Sequence, residues 1–290
     1  MPNRKPIVAG QFYPADRNSC IEEINECLGA RSLHKSLPEE IVAGIVPHAG
    51  WMFSGSLAAL VFSAIKRRHP DVHTFVIFGA AHGYVGHRPA VDENAFWETP
   101  LGRVTVDTAL AEWLLDKKLV VGNSAAHKDE HSIEVQVPFV QHLFPQAEIL
   151  PIIVPPDEKA ILLGQAIGEI VTQEEKRIVS IGSTDLTHYG PRYGFIPMGA
   201  GAEGVDWASR VNDKNFIDVA LKLDPEGLLA GAAENFNACG AGAAAAAIAV
   251  AKKVGKSTGL LLAQTNSNEV MLRKMGAYSQ DSVGYAAIVF

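Results

Sequence analysis

Six short stretches of this chain are apolar almost without interruption: IVAGIV (41–46), TFVIFG (74–79), EILPIIV (148–154), RIVSIG (177–182), TGLLLAQ (258–264) and GYAAIVF (284–290). A strand with one wet face alternates apolar and polar residues, whereas a strand covered on both faces does not need to. Runs of this kind therefore demand layers above and below the sheet. Helix-patterned stretches near 54–68, 108–118, 131–144, 157–172, 206–222 and 240–253 supply those layers. A first helix is expected over about 19–29, where Ser19-Cys20-Ile21-Glu22 has the form of a capping box. FWETPLGRVTVD (96–107) reads as an extra strand pair. The alternation predicts an α/β fold, a three-layer sandwich with a mostly parallel central sheet. No Pro/Ser linker or repeat divides the chain, so one domain over 1–290 is expected, with the C-terminal strand inside the sheet. The Gly/Pro-rich stretch 186–205 is the longest irregular segment, a length that in a compact domain often carries function.

Composition narrows the function classes. No apolar run approaches the roughly 20 residues that span a bilayer. MPNRKPIVAGQFYP has no apolar core of a signal peptide. The cysteines are Cys20, Cys27 and Cys239, an odd and sparse set that points to a reducing, cytoplasmic setting. Two helical turns would separate Cys20 from Cys27 by about 10 Å, too far for a disulfide. A net charge of -7 with no basic cluster disfavours nucleic acid as a partner.

In an open α/β sheet, ligands bind beyond the carboxyl ends of the strands. Three of the apolar runs end in histidine: the first leads to His48, the second to His82, and the fourth through Asp185 to His188. One such histidine is an ordinary core or loop residue; three delivered to one edge point to a site. Cys239 lies at the start of the alanine-rich helix in NACGAGAAAAAIAVAKK. A helix N-terminus lowers a thiol pKa, so Cys239 reads as nucleophile, metal ligand or small filler. His131 and Glu134 fall one turn apart at another helix start, where they would orient a ligand imidazole or simply cap the helix. Gly199-Ala-Gly201-Ala-Glu-Gly204 matches a dinucleotide fingerprint but follows no clear strand. Val254-Gly255-Lys256-Ser257 ends a helix where a phosphate loop would begin one.

VAGQFYPAD, VPHAGWMFSG, VIFGAAH, DEHSIEVQVPFV, STDLTHYG and NACG occur in that order. Together, from about Ile7 to Phe290, they resemble the Memo family (mediator of ErbB-driven cell motility), in its bacterial and archaeal branch. That family in turn resembles the class III extradiol, LigB-like non-haem iron dioxygenases. The resemblance implies a metal site of His48, His82 and Cys239. It places Asp185 and His188 in the same cleft, with His188 as acid/base, and His131 and Glu134 nearby. Many members carry tyrosine where this chain has Trp51, which keeps an aromatic wall without the hydroxyl. Fe(II) is the implied metal, with Cu or Zn as alternatives. Radical-SAM and AMMECR-type proteins are the implied partners.

Two imidazoles and a thiolate leave open positions on a metal, as a catalytic site needs. A thiolate in place of the usual carboxylate favours softer metals and weakens the case for catechol cleavage. The leading expectation is therefore a metal-dependent redox enzyme, dioxygenase-like, acting on a small molecule. The rivals are a ligand- or peptide-binding protein using the same cleft, and a metal-free cysteine hydrolase with Cys239 as nucleophile and His188 as base.

Overall fold

The computed structural model describes residues 3–33, 36–174 and 176–290. The elements run β1 (Asn3–Arg4), α1 (Arg17–Gly29), β2 (Ala43–Val46), α2 (Trp51–Arg68), β3 (Thr74–Gly79), β4 (Ala90–Val91), β5 (Phe96–Thr99), β6 (Gly102–Thr105), α3 (Thr108–Asp116), β7 (Val121–Gly122) and α4 (Val137–Leu143). They continue with β8 (Glu148–Ile153), α5 (Glu158–Gln173), β9 (Ile178–Ser183), β10 (His188–Tyr189), α6 (Ala202–Trp207), α7 (Asp213–Leu221), α8 (Pro225–Asn235), α9 (Ala241–Lys253), β11 (Leu260–Asn266), α10 (Ser267–Met275) and β12 (Ser282–Val289).

The expected α/β sandwich is present. Its main sheet has the order β10-β12-β2-β9-β3-β8-β4-β7, with β11 on the free side of β12. Parallel pairing joins β2, β9, β3 and β8, and also β4 with β7; β12 and β4 run antiparallel to their inner neighbours. The parallel core matches the continuous apolar runs: every residue of β2, β3 and β9 is buried. Helices α5, α8 and α9 cover one face, and α1, α2, α4 and α10 the other. A small sheet β1-β5-β6 contains the extra pair expected over 96–107.

Local chemistry sets the boundaries. α1 begins earlier than the capping-box reading, because Asp16 rather than Ser19 caps it, accepting from the N–H groups of Asn18 and Ser19 at 3.0 Å. The helix expected from 131 starts only at Val137, where Pro138 fits the first turn. The stretch 206–222 divides into α6, a wide π turn at Ala208–Asn212, and α7. Among the described residues, no helix is long and apolar enough to cross a membrane.

α9 can lie close to the sheet and to α5 because its alanines meet glycines. A Cβ at Gly182 of β9 would stand 2.6 Å from the Ala243 carbonyl oxygen, and one at Gly164 of α5 would stand 2.3 Å from that of Ala246. Alanine is the better helix former by about 1 kcal/mol. Gly164→Ala is nonetheless expected to destabilise the protein by about 1–3 kcal/mol, because the opposing atom is backbone and cannot rotate away. A fall in urea midpoint at constant m-value checks this; a rise would show that the helices separate freely.

Candidate metal centre

Strand register explains why the chemical groups meet. β2, β9 and β3 are adjacent and parallel, with Val46 opposite Ser183 and Phe78 opposite Gly182. Their carboxyl ends therefore reach one edge together and deliver His48, Asp185 and His82. Asp185 fastens this edge. Its Oδ1 accepts from the His48 N–H at 2.7 Å, and its carbonyl accepts from the Cys239 N–H at 3.3 Å. Burial pushes its carboxyl up to about 7, against the pull of the N–H groups of His48 and Ala49.

The hydrogen bonds assign the imidazole tautomers. Ser183 donates its hydroxyl proton to the Ser132 carbonyl at 2.7 Å. Its oxygen is then the acceptor for His48 Nδ1–H at 3.1 Å, which leaves the His48 Nε2 lone pair facing the Cys239 thiol at 3.2 Å. His82 Nδ1–H donates to the Glu130 carboxylate at 3.1 Å. His188 Nδ1–H donates to the Leu186 carbonyl at 3.0 Å. In each ring Nδ1 is tied down and Nε2 is presented, as in outer partners that orient metal-bound imidazoles.

His48, His82 and His131 each offer a ligand nitrogen within 4.8 Å of the other two, a group that could hold a metal ion. The His82 and His131 rings stack at 4.9 Å, and His48 stands edge-on to them at 5.1 and 5.4 Å. His131 thus lies among the histidines rather than behind them. Cys239 is outside this trio but touches it, with Sγ 3.2 Å from His48 Nε2. Nitrogen and sulfur bound to one tetrahedral ion would be about 3.5 Å apart, so this contact suits a shared metal. Neutral imidazoles, a carboxylate behind one of them and an adjacent thiol form a donor set that fits a divalent transition metal.

The electrostatics follow from burial. His48 is held well below the usual histidine range by burial and by the neighbouring His82 and His131. His131 and His188 are lowered too, first by burial. His82 is raised, because its bond to Glu130 outweighs its own burial. Glu130 is itself drawn down to about 2: burial opposes ionisation, but His82 and the Ser132 N–H overcome it. The thiol of Cys239 is pushed up by burial and by Asp185, opposite to the expectation from its position. Gly240 rather than Cys239 caps α9, and the Cys239 thiol lies 3.7 Å from the Asp185 carbonyl.

Other expected residues take different places. Glu134 faces away from the histidines and accepts from Arg4, Tyr13 and the N–H groups of Ile7 and Val8. Trp51 is buried, stacks on Tyr13, lies at 4.6 Å from Phe139 and donates to the Val135 carbonyl. Glu130 was not anticipated from the sequence. Its only signal was an acidic residue directly before His131.

The chain matches the family model described as Memo-like protein over residues 4–289. It is 37% identical to a MEMO1 family protein of Thermococcus onnurineus, covering 99% of both chains. It is 34% identical to one of Methanosarcina mazei, covering 100% of this chain and 99% of the other. It is 38% identical to one of Pyrococcus furiosus, covering 99% and 98%. With the parallel strands delivering His48 and His82 to one edge and Cys239 beside them, this chain belongs to the Memo family.

Proposed function

We propose that this chain is a metal-dependent redox protein of the non-haem iron kind, acting on a small molecule. His48, His82 and Cys239 hold Fe(II), with Cu or Zn as the alternative ions. The observation that carries the reading is the pair of locked tautomers: Ser183 and Glu130 hold the Nδ1 protons of His48 and His82, so both Nε2 lone pairs are ready for an ion. The ion would supply electron transfer and polarisation of a bound oxygen species or substrate atom.

The chain's own residues do the rest. Glu130 balances charge behind His82. Asp185 holds the His48 loop and the Cys239 backbone in register. His188, with Nδ1 on Leu186 and its ring edge against Tyr193 at 5.0 Å, keeps Nε2 free to take a proton from substrate and return it. Radical-SAM and AMMECR-type proteins remain the proposed partners, by family resemblance.

A second reading uses the same contact differently. The Cys239–His48 approach at 3.2 Å also fits a thiol nucleophile with His48, rather than His188, as base. Burial works against that ion pair, raising the thiol and lowering the imidazole. It also leaves His82 and Glu130 idle.

Elemental analysis after purification without oxygen separates the two. About one iron per chain in the wild type, and none in the double variant His48→Ala/His82→Ala, is the expected result. Absence of metal from the wild type, with stoichiometric alkylation of Cys239, would overturn it in favour of the thiol enzyme.

A further inference from the structure

His131 is the one member of the histidine cluster without an assigned task. Its side chain is 25% exposed, and among the described residues no hydrogen bond engages its ring nitrogens. Its nearest charged neighbour is Glu130, 3.9 Å from Nδ1 and already bonded to His82. Both nitrogens keep some contact with solvent and are therefore open to an ion. Its orientation is not accidental. The ring is stacked on His82 and braced at 4.9 Å by the edge contact with Phe12.

The backbone beneath it is fixed from several sides. Arg4 donates to the carbonyls of His127 and Glu130, at 2.8 and 2.6 Å. The Ser132 N–H donates to Glu130 at 2.7 Å, its hydroxyl accepts from the Ala80 N–H at 2.9 Å, and its carbonyl accepts from Ser183. Those same groups hold His82 and His48. One hydrogen-bonded frame therefore presents all three imidazoles, as a preorganised ligand set requires.

We infer that His131 is a metal ligand in its own right, so that His48, His82 and His131 form an all-nitrogen donor set that holds a divalent ion without Cys239. The inference rests on the metal-centre reading above and adds a second third-donor to it. Around a shared ion the nitrogens would stand about 3.4 Å apart, at most about 1.4 Å closer than the 4.8 Å that bounds them here. With Nε2 given to an ion, the Nδ1–H of His131 would face Glu130, 3.9 Å away, and that carboxylate would stand behind two ligand rings. The thiolate donor suits soft ions and the imidazole donor suits borderline ones, so the centre accepts both classes.

Co(II) titration of the metal-free protein without oxygen tests this, because a cobalt–thiolate bond gives a near-ultraviolet charge-transfer band that an imidazole does not. The wild type is expected to bind one equivalent with the band. Cys239→Ser is expected to lose the band but keep the cobalt. Cys239→Ser/His131→Ala is expected to bind more than about 100-fold more weakly than Cys239→Ser, a larger loss than removal of an outer partner causes. Cys239→Ser/His131→Asn repeats the test with a polar replacement, and unchanged thermal unfolding shows that the variants fold. Equal cobalt affinity with and without His131, or no cobalt in a folded Cys239→Ser protein, would overturn the inference while leaving the His48, His82 and Cys239 centre standing. No cobalt in the wild type would remove the metal centre itself.

Discussion

Glu134→Ala is expected to cost about 3–5 kcal/mol of folding stability, the usual price of removing one partner from a buried ion pair. Glu134 is wholly buried, and its carboxylate gathers the start of the chain. Oε2 accepts from Arg4 at 2.7 Å, and Oε1 accepts from the N–H groups of Ile7 and Val8 and from the Tyr13 hydroxyl, each at 2.9 Å. Alanine would leave a guanidinium, a phenol and two N–H groups in a space closed to water. The Arg4 guanidinium would keep its carbonyl acceptors and its place over the Trp97 ring at 4.1 Å, but lose its only counter-ion among the described residues. Glu134→Gln, which keeps the oxygen acceptor and loses the charge, should fall between wild type and alanine. Denaturant unfolding reads the difference, and a cost below about 1 kcal/mol in the alanine variant would mean that water enters and satisfies these groups. The effect reaches the candidate metal centre, since Arg4 also grips the carbonyl of Glu130. The alanine variant should therefore hold metal more weakly even where it remains folded.

That arrangement also marks where reading the sequence stops. β3 spans the residues of its apolar run, 74–79, because a strand buried on both faces advertises itself. The two-residue strands β4, β7 and β10 have no pattern of their own; they exist because a partner strand passes at hydrogen-bonding distance. α8 was not among the expected helices, because its small residues carry little apolar rhythm, although Asp224 caps it and Pro225 fits its first turn. The expected delivery of His48, His82 and His188 to one edge rested on parallel strands, and β2, β9 and β3 do lie side by side with their carboxyl ends together. The division of labour in DEHSIE was not legible. His131 and Glu134 are close in sequence, but His131 precedes the short turn Glu134–Gln136 that leads into α4, so one faces the cleft and the other faces the N-terminal strand. Only the tertiary position of Arg4 decides that Glu134 goes to structure while Glu130 serves the histidines.

The second large effect concerns Asp213, and it is a dependence on pH. This residue follows the π turn and is buried, with Oδ1 accepting from the Thr187 N–H at 2.9 Å and Oδ2 without a partner among the described residues. It thus anchors the backbone directly before His188. Burial pushes its carboxyl up to about 7, only partly offset by the bonds from Thr187. In the unfolded chain the same group ionises near 4. Below that pH both states hold the proton and Asp213 costs nothing. Between about 4 and 7 the unfolded chain releases the proton while the folded chain keeps it, so stability falls as pH rises. Above about 7 both are ionised, and the accumulated cost levels off at up to about 4 kcal/mol, from three pKa units at 1.36 kcal/mol each. Asp185 adds a cost of the same sign in the same window, while the lowered His48, His127, His131 and His188 act in the opposite sense up to about 6.5. All of these cancel in a comparison of wild type with Asp213→Asn. The amide adds a pH-independent offset for its own N–H groups, so the slope is what carries the result. The stability of Asp213→Asn relative to wild type should climb between pH 4 and 7 and stay flat on either side. A difference that does not change with pH would mean that Asp213 ionises in the folded protein as readily as in the unfolded one, and that its second oxygen finds water or an ion as partner.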